Sequence, residues 1–118
     1  MSMILFAISS AAMVLTAFLH SWFGEKRLLR PLLALDTPMM ANPRVSRMIR
    51  FSWHFTSALK LLCAVVVSWP GVPHTPIAII GLIWLAVGLF SLYSSRGKHV
   101  GWAPLAVAGF CAILGAWA

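Results

Sequence analysis

Four long apolar runs organise the chain: about Met3 to Phe23, Phe51 to Trp69, Pro76 to Tyr93 and Val100 to Ala118. Each has about the 17–25 residues that a helix needs to cross ~30 Å of hydrocarbon. None shows the in-out alternation of a barrel strand. The pattern therefore predicts an all-α fold, a four-transmembrane-helix up-down-up-down bundle forming one domain over residues 1–118. Its helices fall at about 3–23, 47–69, 76–94 and 100–118, with a connection at 24–46. Trp69-Pro70-Gly71-Val72-Pro73 stops the second helix, and Pro76 suits the first turn of the third. Ser94-Ser95-Arg96-Gly97 ends the third, and Pro104 sits in the first turn of the fourth. Such short links make consecutive helices antiparallel neighbours. The first run reads as a retained helix and not a secretory signal, because no basic residue precedes it and it exceeds an ordinary h-region.

The connection has its own pattern. Gly24 to Leu35 either continues the first helix past the membrane or lies in the interface, with Leu28, Leu29, Leu32 and Leu33 on one side. Pro31 is expected to kink it, and Asp36-Thr37-Pro38 and Asn42-Pro43 read as turns. The second helix is expected to start near Val45.

Composition reinforces the membrane reading. Apolar residues make up 61% and charged residues 9%, against roughly 25% charged in a soluble domain. The net charge of +7 changes meaning once it is mapped. Lys26, Arg27, Arg30, Arg44, Arg47 and Arg50 cluster at the first connection, and Arg96 and Lys98 at the third. The second connection, Pro70 to Thr75, has none, so eight of the nine basic residues lie on one side. The positive-inside rule makes that side cytoplasmic. The expected location is the bacterial inner (cytoplasmic) membrane, with both termini on the periplasmic side. The lipid bilayer is then the partner of the basic excess, and nucleic acid is excluded. Cys63 and Cys111 match no zinc or redox spacing and read as small apolar residues.

Depth then sorts the polar residues. His20 near the inner end of the first helix, His54 one turn inside the second and His99 just before the fourth all belong to the cytoplasmic third. His74 lies on the opposite side. Ser9, Ala12, Thr16 and His20 form a small or polar stripe on the first helix, and Arg50, His54 and Ser57 a second stripe. Both should face protein, since exposing them to lipid is costly. Ser21 and Glu25 are one turn apart, with Glu25 in reach of Arg50 or Arg30. The candidate polar layer is thus His20, Ser21, Glu25, Arg50, His54, Ser57 and His99. Each histidine has a plainer role open to it, a hydrogen bond to a carbonyl at a helix end. Trp22, Trp53, Trp69 and Trp102 read as interfacial belt residues.

Lys60 stands apart, about 15 Å by helical rise from Arg50 and with no acid at its depth. An ionisable residue there is a functional hypothesis by default, with snorkelling to the interface as the alternative. Ala108, Ala112 and Ala116, and Gly81 and Gly88, offer small-residue packing faces, within one bundle or between copies.

His20-Ser21-x-x-Gly24-Glu25 with Leu28-Leu29-x-Pro31-Leu32-Leu33, and Arg50-Phe51-x-Trp53-His54-x-Thr56-Ser57, resemble blocks of an uncharacterised family of small bacterial four-helix integral membrane proteins. His99-Val100-Gly101-Trp102 is a weaker third block. The resemblance implies the topology and that these blocks belong together. It implies no reaction, ligand or partner.

Three functions follow from the residues. The favoured one is a non-enzymatic subunit or assembly helper of a larger membrane complex, in which Lys60 finds its counter-charge on a partner protein or in a homo-oligomer. The second is a metal- or haem-binding enzyme or redox protein using His20, His54 and His99, with zinc, iron or haem as the cofactor and Glu25 as a further ligand. The third is an oligomeric channel or transporter. Serine hydrolysis has the least support, since no serine has a base and an orienting acid at recognisable spacing.

Overall fold

A computed structural model describes all 118 residues and contains helices only. These are α1 (Ser2–Gly24), a π-helical turn (Glu25–Leu29), α2 (Arg30–Leu33), α3 (Pro38–Ala41), α4 (Pro43–Ser68), α5 (His74–Ser95) and α6 (Trp102–Trp117). Three helical rods are long and apolar enough to cross a membrane: Ser2–Leu33, Pro43–Ser68 and His74–Ser95. The fourth, α6, has 16 residues and rises only roughly 24 Å. It is shorter than its run of apolar residues suggested, because His99 to Gly101 is spent in a turn.

The expected connection at 24–46 is mostly helix. Its first part continues α1, so Ser2–Leu33 forms a rod of 32 residues. Pro31 supplies no N–H to the ladder. The π turn just before it absorbs the defect, with the Arg30 N–H bonding the Glu25 carbonyl five residues back. Thr37 and Asn42 then cap the next two helices, accepting from the Met40 N–H (3.2 Å) and the Arg44 N–H (3.0 Å). Each is followed by proline in the first turn, where the missing donor costs nothing. That cap moves the start of α4 from the expected 45–47 back to Pro43. At the far end of α5, Arg96 takes a left-handed conformation (φ 54°) and Gly97 donates to the Leu92 carbonyl at 3.0 Å, closing the helix.

In space the long helices run in the order α4, α1, α6, α5. α1 packs on both α4 and α6, and α5 packs on α6. α4 and α5, joined by the tight Trp69–Pro73 link, barely meet. Consecutive helices are therefore not all neighbours. The cause lies in the small residues. Gly81 of α5 sits against the Gly109 carbonyl and Ala112 of α6, and Gly88 against Ala106, so these backbones approach closely. Ala108 and Ala112 are fully buried, which places the small-residue faces inside one chain. Ser9 Oγ donates to the Ala108 carbonyl (2.6 Å) and Ser10 Oγ to the Ala64 carbonyl (2.9 Å), fastening α1 to α6 and to α4.

The core is thin: Met13, Ala64, Val67, Ile77, Trp84, Ala108 and Ala112. Only 17 of 118 residues are buried, while Phe, Leu and Ile side chains line the outside. Such an exterior is compatible with a hydrocarbon surrounding.

Candidate functional site at the basic end

Helical spacing divides the segment His20 to Arg27 into three rows with separate tasks. Trp22 and Phe23 face outward, 62% and 40% exposed. One turn further on, the Lys26 ammonium lies 4.2 Å from the Trp22 ring centre and the Arg27 guanidinium 4.7 Å from that of Phe23. These cation–π contacts bend the charges back along the apolar shaft.

His20 and Gly24 form the second row, and they receive Trp53 of α4. The Trp53 indole N–H donates to the His20 carbonyl at 2.8 Å, and His20 Nε2–H donates to the Trp53 carbonyl at 3.1 Å. The two rings stack with centres 4.1 Å apart and planes 9° from parallel. Gly24 is needed because a Cβ there would overlap the indole. The indole thereby lies across α1 just before the π turn. Trp53 was expected in the interfacial belt; it is instead a clasp between two helices. Trp22 and Trp69 do face outward as belt residues would.

Ser21 and Glu25 form the third row, facing Arg50, His54 and Ser57 of α4. Glu25 accepts from Arg50 Nη2 at Oε2 (3.4 Å), and Arg50 Nε lies 2.9 Å from Oε1 in the ion pair. His54 Nε2 stands 3.7 Å from Glu25 Oε1, and its Nδ1 lies 2.9 Å from Ser21 Oγ. Ser21 Oγ is 2.6 Å from Ser57 Oγ. Of the seven residues proposed for the polar layer, six are thus brought together: His20 in the clasp, and Ser21, Glu25, Arg50, His54 and Ser57 in one connected line. Arg30 is not the partner of Glu25.

His99 does not join them. It is exposed and hydrogen-bonds α5, its Nδ1 lying 3.4 Å from Ser91 Oγ and its backbone N–H donating to Ser95 Oγ at 3.2 Å. No group of three or more His, Cys, Asp or Glu side chains lies close enough to hold a metal ion. His74 bonds the Ala116 carbonyl at the opposite end. Both cysteines are free thiols.

Two grooves flank α4. One, between α1 and α4, has a volume of about 140 Å³ and is lined by Ala17, Phe18, Ser21, Ser57 and Leu61. The other is the gap left where α4 and α5 fail to meet. It holds about 250 Å³, with Thr56, Lys60 and Cys63 on one wall, Trp84 on the other and Leu105 of α6 beneath. Lys60 hydrogen-bonds no side chain and pairs with no carboxylate.

The sequence reading missed three features of this site. Trp53 and Gly24 act as a pair, and only helix register reveals it. The third is the serine with both a base and an acid beside it, for Ser21, His54 and Glu25 come from two helices with no telling spacing between them. Neither the protein-family models, the curated proteins nor the solved structures contain a match to this chain.

Proposed function

We propose that the protein is a small integral membrane subunit or assembly helper that docks a transmembrane helix of a partner protein through the groove between α4 and α5. In this reading the four long helices cross the inner membrane up-down-up-down. The basic end faces the cytoplasm, as the charge distribution favours.

The observation that carries the proposal is Lys60 on the wall of an apolar groove that the bundle leaves open. The chain has two acidic residues; Glu25 is taken by Arg50 and Asp36 lies in the connection before α3. An unpaired ammonium at mid-membrane costs about 3 kcal/mol on insertion scales. A carboxylate on a docked helix offsets that cost and closes the corner that α4 and α5 leave open. The polar line leaves this groove free, because its contacts are all with α1 and its π-helical continuation. Metal and haem binding draw no such support, since His99 lies apart from His20 and His54.

Cross-linking from Cys63, which lines the groove, tests the reading. In native membranes, Cys63 of a Cys111→Ser variant is expected to form a maleimide cross-link to a membrane protein. The adduct should persist in Lys60→Arg and vanish in Lys60→Met. An adduct that forms equally well in Lys60→Met would remove charge pairing from the account.

A further inference from the structure

The groove between α1 and α4 goes beyond the docking role and lies on the other side of α4. Hydrogen-bond direction in the polar line decides its chemistry. Glu25 is paired with Arg50 and can only accept. Its carboxylate lies 3.7 Å from His54 Nε2, too far for a direct hydrogen bond, yet its charge favours the tautomer that carries the proton on Nε2. His54 Nδ1 is then bare and accepts the Ser21 hydroxyl proton at 2.9 Å. Ser21 Oγ, its own proton committed, accepts from the Ser57 hydroxyl at 2.6 Å. In that tautomer the donor order runs Ser57 to Ser21 to His54, and the His54 Nε2–H faces Glu25 across 3.7 Å. One Ser21 lone pair remains, on a residue that lines the apolar groove with Phe18 and Leu61.

We infer that Ser21 is a nucleophile for long-chain acyl esters at the membrane interface, with His54 as its base and Glu25 as the residue that positions the imidazole. The arrangement of roles is that of a serine triad assembled from two helices. Ser21 Oγ attacks the acyl carbonyl carbon, the Oγ–C bond forms and the hydroxyl proton passes to His54 Nδ1. The ester C–O bond then breaks, and the same proton moves from Nδ1 to the departing alkoxide oxygen. Acyl-Ser21 and an alcohol result. Water, deprotonated by Nδ1, attacks the acyl carbon and releases the carboxylic acid, restoring the Ser21 hydroxyl. The backbone N–H groups beside Ser21 are consumed within α1 and α4. The Ser57 hydroxyl, 2.6 Å from Ser21 Oγ, is therefore the side-chain donor at hand: once Oγ bonds the acyl carbon, its one proton turns from Oγ to the developing oxyanion. Phe18, Leu61 and Ala17 supply the apolar wall for the acyl chain.

The probe is a long-chain alkyl fluorophosphonate applied to the full chain in lipid nanodiscs. It should phosphonylate Ser21 with loss of fluoride, read by intact mass and peptide mapping. Ser21→Ala should abolish the adduct, and His54→Gln should slow it about 100-fold, with helicity by circular dichroism unchanged. Glu25→Gln, which leaves the Ser21–His54 bond in place, provides a second variant. It should lower the maximal labelling rate without shifting the probe concentration at half-saturation. A wild-type chain that stays unlabelled, an adduct on another residue, or equal rates in wild type and His54→Gln would overturn the proposal.

Discussion

Trp53 and His20 hydrogen-bond each other's backbone carbonyls while their rings stack 4.1 Å apart. Each ring nitrogen satisfies a carbonyl of the opposite helix, so α1 and α4 are fixed in axial register as well as in contact. That register aligns Ser21 with Ser57 and Glu25 with Arg50. The clasp therefore sets the geometry of everything beside it.

Trp53→Phe keeps most of the ring and removes the indole donor. It is expected to cost about 1 kcal/mol, the net worth of one hydrogen bond. Gly24→Ala is expected to cost more, roughly 1–3 kcal/mol, because the new methyl overlaps the indole and must displace it. Titration with a denaturing detergent, followed by far-ultraviolet circular dichroism, measures both. The order of the two variants is the informative result.

The polar line should divide unequally in energy. The Glu25–Arg50 pair is partly in solvent, with side chains 24% and 47% exposed. A double-mutant cycle on it should give under about 1 kcal/mol of coupling and shrink in salt. Ser57 is buried and its bond to Ser21 is out of reach of salt. A Ser21/Ser57 cycle should give about 0.6 kcal/mol, the average for hydrogen bonds between helices in a membrane, and be indifferent to ionic strength.

Two glycines of α6 should respond differently to the same substitution. A Cβ on Gly109 would meet the backbone of α5, at the Leu85 nitrogen and the Gly81 carbonyl, which cannot move without separating the helices. A Cβ on Gly115 would meet mainly the Phe6 ring, which can turn aside. Gly109→Ala should therefore destabilise by about 2 kcal/mol or more, and Gly115→Ala by clearly less. Thermal unfolding of the two variants in one detergent compares them directly.

The limits of the sequence reading follow from the same residues. The stripes Ser9–Thr16–His20 and Arg50–His54–Ser57 were legible because they depend only on 3.6-residue periodicity. The first turns inward, and the second runs from buried Ser57 through half-buried His54 to exposed Arg50. Ser9, Thr16 and Ser57 are buried. Depth was legible too, and it put His20 and His54 at one level. What periodicity cannot carry is lateral order. His99 was expected at that level but hangs on α5, which the Gly81–Gly109 approach holds against α6, away from α4. The link between α4 and α5 is short, yet length bounds separation only where the link is, and the two helices diverge beyond it. Trp53 was misassigned because an interfacial indole and an interhelical one look alike in a sequence. The match between its ring and Gly24 exists only in three dimensions.

The two grooves also explain why one helix carries most of the chemistry. The α1 side of α4 presents His54 and Ser57, and its α5 side presents Thr56, Lys60 and Cys63. Ser57 and Lys60 are adjacent on α4, three residues apart, yet they line different grooves. Lys60 makes none of the contacts of the polar line, so a change there should leave the line in place. Circular dichroism and fluorophosphonate labelling of Lys60→Met should match the wild type.

Native mass spectrometry of the protein released from its own membranes tests the central claim most directly. Wild type and Lys60→Arg are expected to appear in one assembly with a partner whose transmembrane segment carries a carboxylate near mid-membrane. Lys60→Met is expected as the free 12.9 kDa chain. A wild-type chain that flies alone, or a Lys60→Met chain that keeps the same partner in the same proportion, would contradict the account.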